Sequence, residues 1–160
     1  MTRLASIAAA VAAVTVLVVV LVTRSQSSSP HRARRGTVPD VRVGRTRLGR
    51  VLVDGRGRTL YLFLKDRRRR SVCAGACARV WPPAIVSRRP RAGSGVAASK
   101  LTTIRRPDHR RQLVYNGHPL YAMSADTGPG QIHGQGFLGT WFAVSPAGHR
   151  VGAARRPDAY

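Results

Sequence analysis

The chain has 160 residues and a formal net charge of +22, from 28 basic and 6 acidic side chains. So few carboxylates leave little from which to build an acid-rich catalytic centre or a calcium site, and the length allows one domain plus accessory segments. All of the basic residues are arginine except Lys65 and Lys100. Such an excess points to an anionic partner, although an Arg-, Ala-, Val- and Gly-rich composition also arises from a GC-rich genome.

An apolar run opens at Leu4 and closes at Val22, interrupted only by Ser6 and Thr15. As a helix it would rise about 28 Å at about 1.5 Å per residue, just enough for a hydrocarbon core about 30 Å thick. Residues 1–23 therefore read as a signal-anchor or transmembrane segment, tying the chain to a membrane. The stretch Thr23-Arg24-Ser25-Gln26 offers no small-x-small site, which favours retention over cleavage; cleavage would leave a secreted domain. Arg24, Arg32, Arg34 and Arg35 outnumber Arg3 across the run, so the positive-inside rule alone would hold the domain in the cytoplasm. The cysteine pair and a resemblance, both given below, argue for the extracytoplasmic side. Residues 24–40 lack apolar periodicity and read as a basic, disordered linker, suited to lying on anionic lipid or an envelope polymer.

From Val41 the texture turns to strands. Val51, Leu52 and Val53 run into Asp54-Gly55, a turn signal, and Thr59-Leu60-Tyr61-Leu62-Phe63 follows as a second strand. Residues 71–80 read as a short helix and residues 87–100 as a loop. The strand, glycine turn, strand pattern then returns as Gln112-Leu113-Val114-Tyr115, Asn116-Gly117 and Leu120-Tyr121-Ala122-Met123, with a further strand from Thr140 to Val144.

The firmest feature is an internal repeat. Leu60, Tyr61, Asp66 and Trp81 recur 60 positions later as Leu120, Tyr121, Asp126 and Trp141. A shared offset for four residues, including both tryptophans, predicts two tandem copies. The expected fold is mostly β: a single small domain of two pseudo-symmetric β repeats over residues 41–152, with repeat 1 at about 48–86 and repeat 2 at about 101–148, preceded by one N-terminal hydrophobic helix and followed by a tail at 153–160.

Within that frame Tyr61, Asp66, Trp81, Tyr121, Asp126 and Trp141 read first as structural residues. Strand tyrosines bury their rings, a carboxylate at a strand end accepts backbone N–H bonds, and the tryptophans anchor a core. The functional alternative is that the Tyr and Asp sets line a ligand site, where converging carboxylates would do acid–base work. Cys73 and Cys77 are the only cysteines. An exported pair reads as a disulfide, with Gly75 marking the distortion that bonding within a helical segment requires. The alternative is redox or copper chemistry through soft thiolates, helped by His118, His133 or His149 and the thioether of Met123. No cofactor is otherwise implied.

The run from Arg67 to Arg70 reads as a solvated loop able to meet phosphate or an acidic polymer. Nucleic acid is not expected, because aromatics make up 6% of the chain and are not interleaved with the basic residues. No phosphate-binding Gly loop, Gly-x-Ser-x-Gly elbow or His-Glu-x-x-His is present, and catalysis is not the leading reading.

The stretch from Gly49 through Asp54-Gly55, Tyr61-Leu-Phe63-Leu-Lys-Asp66, Ser71-Val-Cys73-Ala-Gly75-Ala-Cys77 and Trp81-Pro82-Pro83 resembles bacterial secreted or lipoprotein repeats with a Tyr-x4-Asp motif. So does the second copy, from Arg106-Pro-Asp108 through Tyr115-Asn-Gly117-His-Pro119-Leu-Tyr121, Asp126 and Pro129-Gly130 to Trp141. The resemblance implies export, frequent membrane anchoring and tandem copies, and it assigns no catalytic residue. This chain departs from the pattern in lacking a lipoprotein cysteine, in His109 where glycine is frequent, and in Met123 where an aromatic is usual. The leading expectation is an extracytoplasmic, membrane-anchored structural or binding module; the second is a redox or copper-handling envelope protein.

Overall fold

The computed structural model describes residues 40–152. The expected membrane segment, the linker up to residue 39 and the tail from 153 lie outside the described residues. The described chain is mostly β. Strands β1 (Val41–Thr46) and β2 (Gly49–Asp54) form an antiparallel hairpin, with Val43 opposite Leu52. Strands β5 (Leu101–Arg105) and β6 (Arg111–Tyr115) form its counterpart, with Thr103 opposite Leu113. The short β4 (Ile85–Val86) and β7 (His118–Pro119) also pair with β6.

The segments after each hairpin cross over. Strand β3 (Tyr61–Phe63), from the first repeat, pairs with β8 (Trp141–Ala143), from the second. The reciprocal contact is shorter but matches it position for position: Tyr121 bridges Pro83, and the Ala122 and Ser124 amides donate to the carbonyls of Pro82 and Val80 at 2.9 Å each. Between the two crossings Tyr61 and Tyr121 face each other, each amide donating to the other's carbonyl at 2.8 and 3.0 Å. A local twofold axis thus passes between the two tyrosines, and each half of the domain contains backbone from both repeats.

This exchange explains the apolar pattern. Val51, Leu52 and Val53 are all buried, because β2 is covered on both faces. Strand alternation sends Leu60 and Leu62 into one core with Leu52, Leu113, Tyr115 and Leu120. It sends Tyr61 into the other, with Val51, Trp81, Tyr121 and Trp141.

Local expectations change in three places. The turn after Val53 is not a two-residue turn: Asp54 Oδ1 accepts the Arg56 and Arg58 amides at 2.9 Å each, the Asp54 amide donates to the Arg58 carbonyl at 2.9 Å, and Thr59 then bridges Val53. The expected helix over 71–80 is one short turn, α1 (Ala76–Val80), because Gly75 at φ 54 and ψ −124 breaks the backbone before it. Strand β5 adds to the expected elements: Leu101, Thr102, Thr103 and Ile104 are all half-buried, and no apolar–polar alternation marks them. Asn116 and Gly117 do form the tight hairpin turn, at φ 49 and 85. His109 sits at φ 62, in the left-handed region that glycine adopts most readily.

Candidate functional site

The repeated tyrosines and aspartates meet across the repeats. Tyr61 Oη donates to Asp126 Oδ2 at 2.5 Å, and Tyr121 Oη donates to Asp66 Oδ2 at 2.6 Å. Each tyrosine therefore bonds to the carboxylate of the other copy. The remaining oxygen of each carboxylate closes its own loop: Asp66 Oδ1 accepts the Val72 amide at 2.8 Å, and Asp126 Oδ1 accepts the His133 amide at 3.0 Å. Five-residue spacing delivers this geometry. Each strand ends in a turn in which the Asp amide donates to the carbonyl three residues back, Phe63 or Met123, and the carboxylate swings under the neighbouring repeat.

Burial and bonding set the protonation. The hydroxyls of Tyr61 and Tyr121 are pushed well above the ordinary tyrosine value, first by burial and then by the carboxylate each one faces. Burial also raises the Asp66 carboxyl, against the opposing pull of the Tyr121 hydroxyl, the Val72 amide and the Arg106 charge.

The aromatic rings complete the crossing. Trp81 and Trp141 stack at 3.9 Å with planes 3° apart, and Phe63 stacks on the outer side of Trp141 at 4.1 Å. Tyr61 meets Trp81 edge-on at 5.4 Å, and Tyr121 meets Trp141 edge-on at 5.1 Å, geometries that the ring quadrupole favours. Gly134 lies so close that a Cβ there would meet the Trp81 ring at 2.5 Å. Met123, the counterpart of Phe63, packs against the same cluster.

Residues 43–85 and 102–145 each match the family described as a secreted repeat of unknown function. The chain belongs to this family. No curated protein and no solved structure matches it. The family places this secreted-repeat protein on the extracytoplasmic side, where disulfides persist.

In this secreted repeat, Cys73 and Cys77 form a disulfide across 5.3 Å between Cα atoms. Cys73 precedes the Gly75 break and Cys77 lies in α1, so the bond staples an extended segment to a helical turn. With both sulfurs bonded to each other, neither is a thiolate ligand. Among the described residues no group of three or more His, Cys, Asp and Glu side chains gathers for a metal. Of the proposed helpers, His133 places Nδ1 at 2.9 Å from Asp126 Oδ1, while His118 is half-buried and held below its ordinary value, first by burial and then by the neighbouring charges of His149 and Arg68.

Two residues central to this region, Arg106 and Gln112, stand out in the sequence only as members of the repeat pattern and of a strand. Arg106 is buried beneath the first repeat's loop, and its guanidinium donates to Ser71 Oγ and Gln112 Oε1 at 2.6 Å each and to the Cys73 carbonyl at 2.9 Å. Ser71 lies 2.7 Å from Tyr121 Oη. Because Tyr121 gives its proton to Asp66, Ser71 is the donor there, and a continuous chain runs from Arg106 through Ser71 and Tyr121 to Asp66. A buried arginine looks like a surface one in a chain with 28 basic residues. The counterpart hairpin positions are Thr46 and Val51, so this chain exists in one half only.

Proposed function

We propose that this protein is a non-catalytic, extracytoplasmic binding module, held at a membrane by residues 4–22, in which the repeated Tyr, Asp and Trp residues clasp the two repeats together. The observation that carries the reading is the reciprocal pair of Tyr–Asp hydrogen bonds. Both hydroxyls and both oxygens of each carboxylate have protein partners, so the motif spends its chemistry internally. Acid–base catalysis would instead need a carboxylate open to a substrate proton. Binding falls to the surface, where arginine predominates.

A double-mutant cycle tests the clasp. Tyr61→Phe and Asp126→Asn should each lower the urea-unfolding free energy by roughly 1.5–3 kcal/mol, with a coupling of about 1–2 kcal/mol between them. Substitutions that leave stability unchanged would support the opposing view, in which these groups are held ready for a ligand.

The redox or copper reading has one observation in its favour: Cys77 lines an apolar cleft of about 300 Å³ together with Phe63, Trp81, Phe137 and Trp141. That reading requires a readily reduced pair that then retains Cu(I) against a chelator; loss of copper to the chelator removes it.

A further inference from the structure

A second cleft, of about 470 Å³, lies between the loop after Asp66 and the end of β5. Four arginines line it, Arg69, Arg70, Arg105 and Arg106, together with Ser71. No carboxylate does. All five acidic residues in the described stretch are already engaged: Asp40 with Arg88, Asp54 with Arg58, Asp108 with Arg110, and Asp66 and Asp126 with the two tyrosines. Among the cleft arginines Asp108 lies near Arg106 alone, so positive charge is in excess along the cleft; like charges repel one another, and an anion in the cleft relieves that repulsion.

Arg106 adds a more specific feature. Its side chain is 5% exposed, and its Nη1 and Nη2 groups are spent on Ser71, Gln112 and the Cys73 carbonyl. Its Nε is buried without a hydrogen-bond partner, the closest paired charge being Asp108 Oδ2 at 3.7 Å. A buried donor left unmatched is uncommon and costs about 1–3 kcal/mol. The loop carrying Arg69 and Arg70 is fixed rather than loose: the Arg69 amide donates to the Gly117 carbonyl at 2.8 Å and the Arg70 amide to the Arg67 carbonyl at 2.9 Å.

We propose that this arginine-lined cleft binds a phosphate group, with Arg69, Arg70 and Arg105 forking onto its oxygens and the buried Arg106 charge adding to the attraction from beneath. Two sources share that chemistry, free phosphate and the headgroup of an anionic phospholipid. The inference rests on the binding-module reading and gives that module its ligand class. It belongs to one half of the domain, since Thr46 and Val51 stand where the other half has Arg106 and Gln112.

The test uses the full chain in nanodiscs of neutral phosphatidylcholine, titrated calorimetrically at constant ionic strength with inorganic phosphate and, separately, with dihexanoyl phosphatidylglycerol below its micelle concentration. Two variants are compared: Arg69→Gln/Arg70→Gln/Arg105→Gln, which strips the cleft but spares the buried Arg106, and Arg45→Gln/Arg47→Gln/Arg50→Gln, which removes equal charge from the β1–β2 hairpin. Circular dichroism verifies that both are folded. The expected result is saturable one-to-one binding that the cleft variant weakens about tenfold or more and the hairpin variant about threefold or less. Saturation by inorganic phosphate identifies the free ion as sufficient; saturation by the lipid alone identifies the headgroup. Equal weakening by both variants, or no saturable binding of either probe, overturns the proposal. Such a failure leaves the Tyr–Asp coupling energy untouched, so the two readings fall separately.

Discussion

Tyr61 and Tyr121 each bring a neutral hydroxyl into the core and give its proton to a carboxylate that arrives from the other repeat. Ionising either one would set two negative oxygens against each other in a desolvated site. Both hydroxyls are therefore raised above their ordinary value of 10.0 in the folded state. For a group raised on folding, the stabilisation is fully present below the unfolded value and declines as pH climbs above it toward the folded one. The domain is thus expected to lose stability above pH 10, with the tyrosinate absorbance of these two residues growing only as near-ultraviolet dichroism collapses. Tyrosinate formation with the dichroism intact would show the hydroxyls to be open to solvent. Arg106 teaches a related lesson, because a charge is tolerated there only through its bonds to Ser71, Gln112 and the Cys73 carbonyl.

At the scale of the elements, α1 is too short to stand alone, since one turn does not repay helix nucleation. The disulfide holds it instead. Cys73 is buried beside Trp81 in the aromatic core, and the bond ties the start of α1 to that anchor. In the chain-entropy model a loop this small contributes about 2 kcal/mol. Cys73→Ser with Cys77→Ser should accordingly lower the thermal midpoint by roughly 5–10 °C, measured by differential scanning calorimetry; an unchanged midpoint would mean the staple is redundant. The hairpins follow local chemistry more directly. Asn116-Gly117 adopts the positive φ values a two-residue turn needs, while Asp54 captures the amides of Arg56 and Arg58 and so lengthens the equivalent turn in the first repeat.

Taken whole, the molecule is two repeats that lend each other strands. Strand β3 finds its partner in β8 of the other copy, the Trp81–Trp141 stack takes one ring from each, and both cores draw on both repeats. Neither copy can bury its own apolar strand edge. Residues 40–100 and 101–152, expressed separately, should each lack cooperative unfolding and near-ultraviolet dichroism; mixing them should recover part of the native signal. A single repeat that unfolds cooperatively would contradict the exchange. Phe63 and Met123 differ between the copies where they pack beside the aromatic stack, while the central Tyr, Asp and Trp are the same in both.

The sequence by itself determined the β class, the two copies and the residues that define them, because a shared offset of 60 and alternating apolar residues are local, countable patterns. It also marked Gly75 and the cysteine pair, whose consequences act within a few residues. What it could not carry was the pairing between copies. A Tyr-x4-Asp spacing is the same whether the tyrosine bonds its own aspartate or the other repeat's, and only the antiparallel meeting of Tyr61 with Tyr121 decides between them. The same holds for Arg106 and its cleft. One arginine among many is chosen by burial, and burial depends on which distant loop folds over it.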